Sequence, residues 1–381
     1  MSKMRITRRQ LAQMGGALGL GVLPAMATTM TPTMAPAVTR HALQFPRDFG
    51  AHPETGIEWW YLTGLLSIAG ATEPSFGYQL TFFRLRGPAA GDDPSAFAPR
   101  QLLLGHLALS DLKAARHHAE QRLAREGFEQ VSASRSDCAL RLRDWTLRRE
   151  AVPAQAAQQA SRYLARAAGQ DFALDLQLQS SQALLLQGEQ GYSRKAPPAR
   201  GEQFSYYYSQ VQLATSGRLA IGGRTLSVTG RSWLDHEWSN GLLGRDAVGW
   251  DWLGINLLDG RSLTLFRLRG RDGQPTWAGG SLRGVDGVTH SFAAEQIQFT
   301  PGRRWRSPAS LAEYPVAWTL DTPAGRFQLR ALFDAQELDA RGSSGLLYWE
   351  GAAELLDGSG SRRLGLGYLE MTGYAGRLAL P

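Results

Sequence analysis

The sequence predicts an all-β protein built mainly from antiparallel strands, with a few short helices. Segments in which apolar and polar residues alternate recur along the whole chain, and this two-residue period is typical of strands with one buried face. Many of the 43 glycines lie where such segments end, which indicates tight turns between antiparallel neighbours. Only two segments have a helical pattern. These observations favour β-barrels or β-sandwiches.

Ten segments have the strand pattern. Of the two helical segments, the first covers residues 111–126, with Ser110 as a candidate N-cap, and the second covers the alanine-rich residues 154–168. Turns are expected at Gly222-Gly223 and at three Asp-Gly pairs, because glycine tolerates the backbone angles of tight turns. The predicted strands cover residues 59–68, 76–85, 139–147, 172–178, 206–213, 226–233, 262–268, 318–320, 326–332 and 368–374.

Residues 1–27 have the composition of an export signal. Basic residues precede an uncharged stretch rich in Gly, Ala and Leu, which ends in the cleavage-like sequence Ala25-Met-Ala27. Arg8 and Arg9 lie in the sequence Thr-Arg-Arg-Gln-Leu, which resembles the twin-arginine pattern of proteins exported in the folded state. An ordinary secretory signal or an uncleaved anchor is the alternative. We expect a periplasmic or secreted protein with a flexible leader at 28–40.

Charge and cysteine content exclude several classes of protein. The formal net charge of +7 falls to +3 once the signal, with four basic residues and no acid, is removed. The rest of the chain has no stripe of Lys and Arg interleaved with aromatic residues, so we expect no nucleic-acid partner. The single Cys138 cannot form an intramolecular disulfide. No later window reaches the roughly 18 apolar residues that span a bilayer, so we expect no transmembrane segment in the mature chain.

The two halves of the chain share a pattern of motifs. Each half opens with an acid followed by Trp, continues to a strand ending in Phe-Arg-Leu-Arg, and closes with an aromatic residue, Leu and an acid. This repetition predicts two related β domains, an N-terminal one at 41–239 and a C-terminal one at 240–381. The matching motifs are Glu58-Trp59 and Asp251-Trp252, residues 83–86 and 266–269, and residues 233–235 and 368–370.

Titratable and aromatic side chains crowd together where the two halves meet. Residues 231–239 read Arg-Ser-Trp-Leu-Asp-His-Glu-Trp-Ser, and residues 249–252 read Gly-Trp-Asp-Trp. A charged side chain beside indole rings loses its hydration. It must therefore be paired with an opposite charge, be neutralised by a change of protonation, or take part in a function such as catalysis. This region is therefore the candidate site.

Comparison of the two copies separates shared residues from unshared ones. Asp235 corresponds to Glu370 of the second copy and could be architectural, whereas the His-Glu-Trp that follows Asp235 has no counterpart. Because side chains alternate along a strand, His236 and Trp238 would share one face, and Asp235 and Glu237 the other. We expect the His236 face to carry the function.

An acid-type reaction on an alkene suits these residues. Asp251 lies between Trp250 and Trp252, where burial would raise the pKa of its carboxyl and keep it protonated. Such an acid could protonate a carbon–carbon double bond, and indole faces would stabilise the resulting carbocation. His236 could then take a proton from the attacking water.

A structural role for these groups is the alternative. Glu58 and Asp251 could each pair with an arginine, and His236 could be a hydrogen-bonded core residue. In that case no free carboxyl would remain at these two positions. The arginines available for such pairs are Arg84, Arg245 and Arg267.

Other chemistries fit less well. Residues 235–237, Asp-His-Glu, suggest a metal site, but neighbouring residues of a strand point apart and no His-Glu-x-x-His or His-x-His motif occurs. No Gly-x-Ser-x-Gly elbow marks a serine hydrolase, and Ser232 and Ser239 are weak nucleophile candidates. A glycosidase could use two carboxylates among tryptophans, although the sequence fixes no separation for such a pair.

Several motifs together resemble one known family. The chain is similar, over roughly residues 41–381, to the AttH-like, carotenoid 1,2-hydratase-like lipocalin family. The most specific of these motifs are Glu-Trp-Trp-Tyr and Asp-His-Glu-Trp. The residues that carry the resemblance are 58–64, 105–106, 192–195, 206–209, 233–238, 249–252 and 367–374.

The resemblance implies two lipocalin-like antiparallel β-barrels packed together. Carotenoid hydratases of this family add water to a terminal isoprenoid double bond, with an aspartic acid as proton donor and the motif's His and Trp nearby. By motif, these roles fall on Asp251, His236 and Trp238. Other members are described as predicted secreted hydrolases, and fungal relatives cyclise substrates or hydrate plant phenolics, so the resemblance implies a fold more firmly than a reaction. The export signal fits the secreted branch better than a carotenoid pathway enzyme.

The sequence thus predicts an exported enzyme that acts on a hydrophobic, lipid- or isoprenoid-like small molecule by hydration or hydrolysis, with no cofactor and no metal. The alternative is a non-enzymatic carrier or envelope protein that binds an apolar ligand in the same place. A partner in the cell envelope is compatible with both the enzyme and the carrier hypotheses. An enzyme needs Asp251 or Glu58 unpaired, whereas a carrier predicts both paired with arginine in a purely apolar pocket. The candidate catalytic residues are Asp251, His236 and Glu58, and the candidate substrate-binding residues are Trp238, Trp252, Trp59, Tyr61 and Tyr207.

Overall fold

The computed structural model describes residues 38–87, 95, 98–152, 160–244, 246–376 and 378. The predicted signal at 1–27 and most of the predicted leader lie outside these ranges. The described residues contain 25 strands, three 3₁₀ turns and no α-helix. The all-β prediction is therefore confirmed. The 3₁₀ turns cover Arg47–Phe49, Pro198–Arg200 and Ala294–Gln296.

The first sheet is antiparallel, has thirteen strands and forms a nearly closed barrel. Its strands are β1 (Ile57–Ile68), β2 (Phe76–Arg86), β3 (Gln101–Asp111), β4 (Arg116–Arg125), β5 (Val131–Ala133), β6 (Ala139–Leu142), β7 (Trp145–Ala151), β8 (Ser161–Ala168), β9 (Phe172–Gln179), β10 (Leu185–Leu186), β11 (Tyr192–Arg194), β12 (Phe204–Ile221) and β13 (Arg224–Ser239). The spatial order is β4-β3-β2-β1-β13-β12-β9-β8-β7-β6-β5, and both β10 and β11 pair with β12.

The second sheet has ten strands. Its strands are β14 (Gly249–Leu257), β15 (Ser262–Arg269), β16 (Pro275–Arg283), β17 (Thr289–Phe292), β18 (Gln298–Pro301), β21 (Ala317–Thr322), β22 (Gly325–Ala331), β23 (Glu337–Ala340), β24 (Leu346–Asp357) and β25 (Arg363–Met371), while β19 (Arg304–Arg306) and β20 (Glu313–Pro315) form a separate ribbon. The order is β17-β16-β15-β14-β25-β24-β22-β21-β18, and β23 pairs with β24.

Both sheets use the same arrangement around their first strand. In the first sheet β1 lies between β2 and β13, and in the second β14 lies between β15 and β25. The register places Glu58 opposite Arg84 and Asp251 opposite Arg267. The repeat seen in the sequence is thus also a repeat of strand pairing. The chain changes sheet between β13 and β14, and the division into two domains at residue 240 stays a prediction.

The packing gives strand β13 two different environments. Leu234 and Trp238 belong to the apolar core inside the first barrel, together with Trp60 and Tyr208. Trp233 instead belongs to a separate cluster between the sheets, which also contains Trp252 of β14. One strand therefore faces both the interior of the barrel and the contact between the sheets.

The helix predicted at 111–126 is wrong. Strand β3 ends at Asp111, whose carboxylate accepts backbone N–H groups of Lys113 and Ala114 and so closes a tight turn. Ala115 has a positive φ of 49°, and the chain returns as β4 along the whole of β3. The polar residue taken for a helix cap starts a turn, and strand pairing overrides the local helix propensity.

The helix predicted at 154–168 is also wrong over its described part. Residues 161–168 form β8, which pairs with β7 and β9, and its burial alternates strictly from residue to residue. The alanines at these positions fit a crowded barrel interior, so composition misled the prediction. Residues 154–159 lie outside the described residues.

The strand predictions correspond to observed strands, with longer hairpins than expected. β12 and β13 run well beyond the predicted segments and join at Gly222-Gly223, where φ values of 56° and 73° require residues without a side chain. The segment 139–147 is two strands, because Arg143 adopts a φ of 60° in a turn between β6 and β7. No helix among the described residues is long and apolar enough to cross a membrane.

Replacing Phe49 with Ala should destabilise the first barrel by about 3–5 kcal/mol. Phe49 is fully buried and packs against Phe45 and Tyr208, and the Arg149 guanidinium lies 3.7 Å from its ring centroid. Denaturant unfolding would measure the change. Phe128→Ala is the control, because that ring is 66% exposed and its loss should have little effect. Equal losses for both variants would contradict the packing described.

Candidate active site

An aromatic cleft lies where the two sheets meet. It holds about 730 Å³ of empty space, which includes solvent at its mouth. Its walls combine large apolar rings with a small number of charged groups, a composition typical of small-molecule sites. The aromatic walls are Trp59, Tyr61, Phe83, Trp250, Trp252 and Phe266, and the polar lining includes Lys195, Tyr207, Asp235, Glu237 and Glu370.

Strand alternation sets which side chains reach the cleft. Trp59 and Tyr61 are two residues apart on β1, as are Asp235 and Glu237 on β13, so each pair shares a face. Trp250 and Trp252 do the same from β14 of the second sheet. Leu242 and Leu243, which follow β13 in the chain, add apolar side chains to the lining.

Asp235 accepts hydrogen bonds from two residues of the first sheet. The Tyr207 hydroxyl donates to it at 2.8 Å, and the Trp233 indole N–H donates at 2.6 Å. Trp252, on the second sheet, donates in turn to the Tyr207 hydroxyl at 3.0 Å. Burial raises the pKa of Asp235 to about 7, although the hydrogen bonds from Ser209, Trp233 and Tyr207 oppose that rise. Asp235 is thus a carboxyl that can hold or release a proton near neutral pH.

Glu370 reaches the cleft from the other sheet. Burial raises its pKa to about 7, a hydrogen bond with the Trp250 side chain opposes the rise, and the charges of Asp235 and Glu237 add to it. Among the ion pairs of the described residues, none involves Glu370 or Asp235. Two carboxyls without a cationic partner therefore face the same cleft from different sheets.

The third carboxyl of the cleft, that of Glu237, has its charge compensated by a lysine. Lys195 forms an ion pair with Glu237, and its ammonium group lies 5.7 Å from the Trp59 ring centroid. The pairing keeps the charge of Glu237 compensated inside the cleft. Glu237 thus differs from Asp235 and Glu370, which share the cleft without such a partner.

Four of the predicted substrate-binding residues line the cleft: Trp59, Tyr61, Tyr207 and Trp252. Trp238 does not, since it lies in the core of the first barrel and stacks on His52 at a centroid distance of 3.8 Å. The structure thus brings together residues from both halves of the chain. It separates them from the predicted catalytic residues, which lie elsewhere.

His236 and Glu58 belong to a buried network inside the first barrel. Glu58 accepts hydrogen bonds from His236 Nε2 at 2.8 Å, from His52 Nδ1 at 2.7 Å and from Arg84 Nε at 2.7 Å. The Tyr208 hydroxyl contacts His236 Nδ1 at 2.8 Å. Burial lowers the pKa of His236 to about 4, so it is neutral at pH 7 and its two nitrogens are both satisfied.

Asp251 is also fully paired. Arg267 Nε lies 2.7 Å and Arg269 Nε 2.9 Å from one of its oxygens, and the Tyr374 hydroxyl donates to the other at 2.9 Å. The expectation of a free carboxyl between two indoles is wrong, because Asp251 points to the opposite face of β14 from Trp250 and Trp252. The observed contacts match the alternative given by the sequence, in which Glu58 and Asp251 each pair with an arginine.

One group of ligand atoms could surround a metal ion. Atoms of His52, Glu58 and His236 lie within 4.8 Å of one another, and all three residues are buried. Each of these atoms is already used in a hydrogen bond, and Glu58 Oε2 is bound by Arg84. Burial lowers the pKa of His52, but hydrogen bonds to Asp48 and Glu58 outweigh that effect and raise it above its usual value. The group fits a compensated charge network better than a metal centre.

The sequence interpretation missed Asp235, Glu237, Glu370 and Lys195 as cleft residues. Asp235 and Glu370 were set aside because they occur in both copies, but duplication placed them on two surfaces that face each other. The alternation along β13 could have shown this, since it puts Asp235 on the face away from the barrel core. Lys195 ends the motif at residues 192–195 that carries part of the family resemblance, but nothing in that motif indicates that it reaches the cleft, which it does from the end of β11.

The fold and the cleft define a protein with one nearly closed barrel, a second antiparallel sheet and a cleft suited to a small molecule between them. The AttH-like family model matches residues 36–374, and the chain belongs to the AttH-like family. A putative AttH from Nitrosomonas europaea is 42% identical, with 90% of this chain and all of that chain covered and a TM-score of 0.79.

More distant structures share the fold. A kievitone hydratase from Nectria haematococca has a TM-score of 0.62 at 15% identity, with coverage of 84% of this chain and 89% of the hydratase. The protein CghA has a TM-score of 0.50 at 13% identity, with coverage of 90% and 95%. No curated protein matches the sequence.

Replacing Glu370 with Gln should stabilise the folded protein at alkaline pH. The folded pKa of about 7 lies above the ordinary 4.5, so the carboxyl destabilises the fold increasingly as pH rises from about 4.5 to about 7. We expect the variant's Tm to exceed that of wild type by a few degrees at pH 8 and to equal it near pH 4.

The control for this experiment is Glu354→Gln. Glu354 pairs with Arg330 and Arg363, and these hydrogen bonds overcome the effect of burial and lower its pKa. Its replacement should lower the Tm at pH 8. A similar loss of Tm for Glu370→Gln at pH 8 would show that Glu370 is not held protonated by its surroundings.

Proposed function

We propose that this protein is an exported enzyme that adds water to a hydrophobic small molecule, or hydrolyses one, in the cleft between its sheets. The observation that carries this proposal is the pair Asp235 and Glu370. Both carboxyls face one aromatic cleft, come from different sheets, and have pKa values of about 7. Near neutral pH such a pair can supply a proton at one point and accept one at another.

The hydrogen bonds suggest which carboxyl does which task. Asp235 accepts from Tyr207, Trp233 and Ser209, and donors of this kind favour the ionised form. Glu370 has a single such bond, with Trp250. We therefore assign Glu370 as the general acid and Asp235 as the general base. Tyr207 connects Asp235 to the cleft.

For hydration, the reaction balances with these two groups. Glu370 gives its proton to one carbon of a carbon–carbon double bond, which forms a C–H bond and leaves a carbocation at the other carbon. The indole faces of Trp59 and Trp252 stabilise that cation. A water oxygen then bonds to the cation, and Asp235 takes the proton that the water releases. The next turnover needs Asp235 to return its proton and Glu370 to regain one from solvent.

Hydration is the reaction that we favour. In hydrolysis the same two carboxyls would act, Glu370 by protonating the leaving group and Asp235 by accepting a proton from the attacking water. The fold is shared with a kievitone hydratase, so this architecture is compatible with water addition. The hydrophobic, lipid- or isoprenoid-like nature of the substrate stays a proposal that the aromatic walls support. The roles predicted for Asp251, His236 and Glu58 become structural here, since their polar atoms are already bonded.

A non-enzymatic carrier is the second candidate. The arginine pairs of Glu58 and Asp251 match what a carrier predicts. The carrier also predicts a purely apolar pocket, whereas Lys195, Asp235, Glu237 and Glu370 line this cleft. The charged lining therefore favours the enzyme.

Asp235→Asn and Glu370→Gln should each lower the rate of water incorporation by roughly 10²–10⁴. Mass spectrometry of a panel of prenyl and terpenoid alkenes and lipid esters in heavy-oxygen water would measure it. Asp251→Asn is the comparison, and it should lose about 3–5 kcal/mol of stability, because it leaves two buried arginines without their carboxylate. Wild type that binds these ligands but incorporates no label would support the carrier.

The export proposal concerns residues 1–27 and has its own test. Replacing Arg8 and Arg9 with Lys should leave the precursor in the cytoplasm, because the twin-arginine machinery reads the arginine pair. Cell fractionation would measure the exported share. A variant that lacks residues 1–27 is the control and should not be exported at all. Normal export of the double-lysine variant would indicate an ordinary secretory signal instead.

A further inference from the structure

The indole N–H of Trp252 is bonded to the first sheet and does not point freely into the cleft. It donates a hydrogen bond to the Tyr207 hydroxyl at 3.0 Å, and that hydroxyl donates to Asp235 Oδ2 at 2.8 Å. Trp252 belongs to β14 of the second sheet, whereas Tyr207 and Asp235 belong to β12 and β13 of the first. This chain of donors therefore crosses the contact between the sheets and ends on the carboxyl assigned as general base.

The direction of both hydrogen bonds follows from the chemistry of the groups. An indole N–H can only donate, so the Tyr207 oxygen must accept from Trp252. Burial and the charges of Asp235 and Glu237 raise the pKa of Tyr207 well above its usual value, so the hydroxyl keeps its proton and can donate it to Asp235. Because hydrogen bonds in a chain polarise one another, a hydroxyl that accepts one bond becomes a stronger donor in the next.

Packing holds the indole of Trp252 in place. Its six-membered ring lies against Gly254, two residues further along β14, where a Cβ would come within 2.5 Å of the ring. The rings of Tyr61 and Trp233 stand edge-on to it, at centroid distances of 5.3 and 6.2 Å. Trp252 and Tyr207 are both buried, so water does not compete for the hydrogen bond between them. A side chain held in this way also fixes the group to which it is bonded.

The other indole of the Trp-Asp-Trp motif bonds to the other carboxyl. The Trp250 side chain forms a hydrogen bond with Glu370, which lies directly opposite Trp252 in the pairing of β14 with β25. Trp250 and Trp252 are two residues apart and both line the cleft. Each of the two carboxyls thus has an indole donor on β14, which acts directly on Glu370 and through Tyr207 on Asp235.

We propose that Trp252 is a positioning residue for the general base: its N–H orients the Tyr207 hydroxyl, which in turn holds the Asp235 carboxylate where it can accept a proton from water. This inference rests on the proposed function only in calling Asp235 the base. The base on the first sheet is therefore set by a residue of the second, so contact between the sheets is a condition of activity. Donors to a carboxylate favour its ionised form, so loss of the Trp252 N–H has a measurable effect on Asp235.

Carbon-13 NMR titration of the Asp235 carboxyl, assigned with Asp235→Asn, tests this role without turnover. Tyr207→Phe removes the direct donor and should raise the midpoint of Asp235 by about one pH unit. Trp252→Phe keeps an aromatic ring but loses the N–H, and it should raise the midpoint by about a third of that amount. Added to Tyr207→Phe, it should cause no further change, because its effect passes through Tyr207.

Trp250→Phe is the matched control. It removes the other indole N–H of the motif, so it should raise the midpoint of Glu370 and leave that of Asp235 unchanged. If Trp252→Phe folds poorly, Trp252→3-benzothienylalanine keeps the shape of the indole and replaces the N–H with sulfur. The same shift of Asp235 is expected for that variant.

The proposal is overturned if neither replacement of Trp252 moves the midpoint of Asp235, or if the midpoint falls. It is also overturned if the shift is as large in the Tyr207→Phe background, or if Trp250→Phe moves Asp235 as far. With a substrate found by the heavy-oxygen assay, the acid limb of the pH–rate profile should move with the midpoint of Asp235. A shifted midpoint in a protein that incorporates no label would count against the proposed function alone.

Discussion

The alternation of side chains along β13 is the constraint on which the site depends. In the buried half of this strand, Leu234, His236 and Trp238 enter the packed interior of the first barrel, whereas the residues between and before them, Trp233, Asp235 and Glu237, face the second sheet. His236 and Trp238 therefore complete a core, whereas Asp235 and Glu237 reach a cleft. A shift of one residue in the register of β13 would exchange these two sets and place charged groups in the core.

The pairing of charges separates structural from functional carboxyls. Glu58 and Asp251 sit on equivalent strands of the two sheets, and each is bound by an arginine from the neighbouring strand. Removing either partner would leave a buried charge uncompensated, so these pairs hold the strands in register. Asp235 is buried and Glu370 half-buried beside aromatic rings, neither forms a salt bridge with an arginine among the described residues, and desolvation raises the pKa of each. Burial thus produces opposite outcomes that depend on whether an arginine is bonded directly to the carboxylate.

Much of the fold could be predicted from the sequence, because the two-residue period and the turn glycines are local signals. The cleft could be predicted only in part. Aromatic residues such as Trp59 and Trp252 were found because they flank recognisable motifs, but the contact between the sheets depends on packing that no local pattern records. The helix predicted at 111–126 failed for a related reason, since pairing of β4 with β3 decides its conformation. Asp235 was misjudged because a residue shared by both copies was taken as architectural.

Carbon-13 NMR of the side-chain carboxyls would test the central claim most directly. Wild type, with Asp235→Asn and Glu370→Gln used to assign the signals, would be titrated from pH 4 to pH 9. The geometry predicts that each of the two carboxyls titrates with a midpoint near 7. Midpoints below about 5 for both would mean that the cleft holds two ordinary carboxylates. Neither could then act as a proton donor at neutral pH.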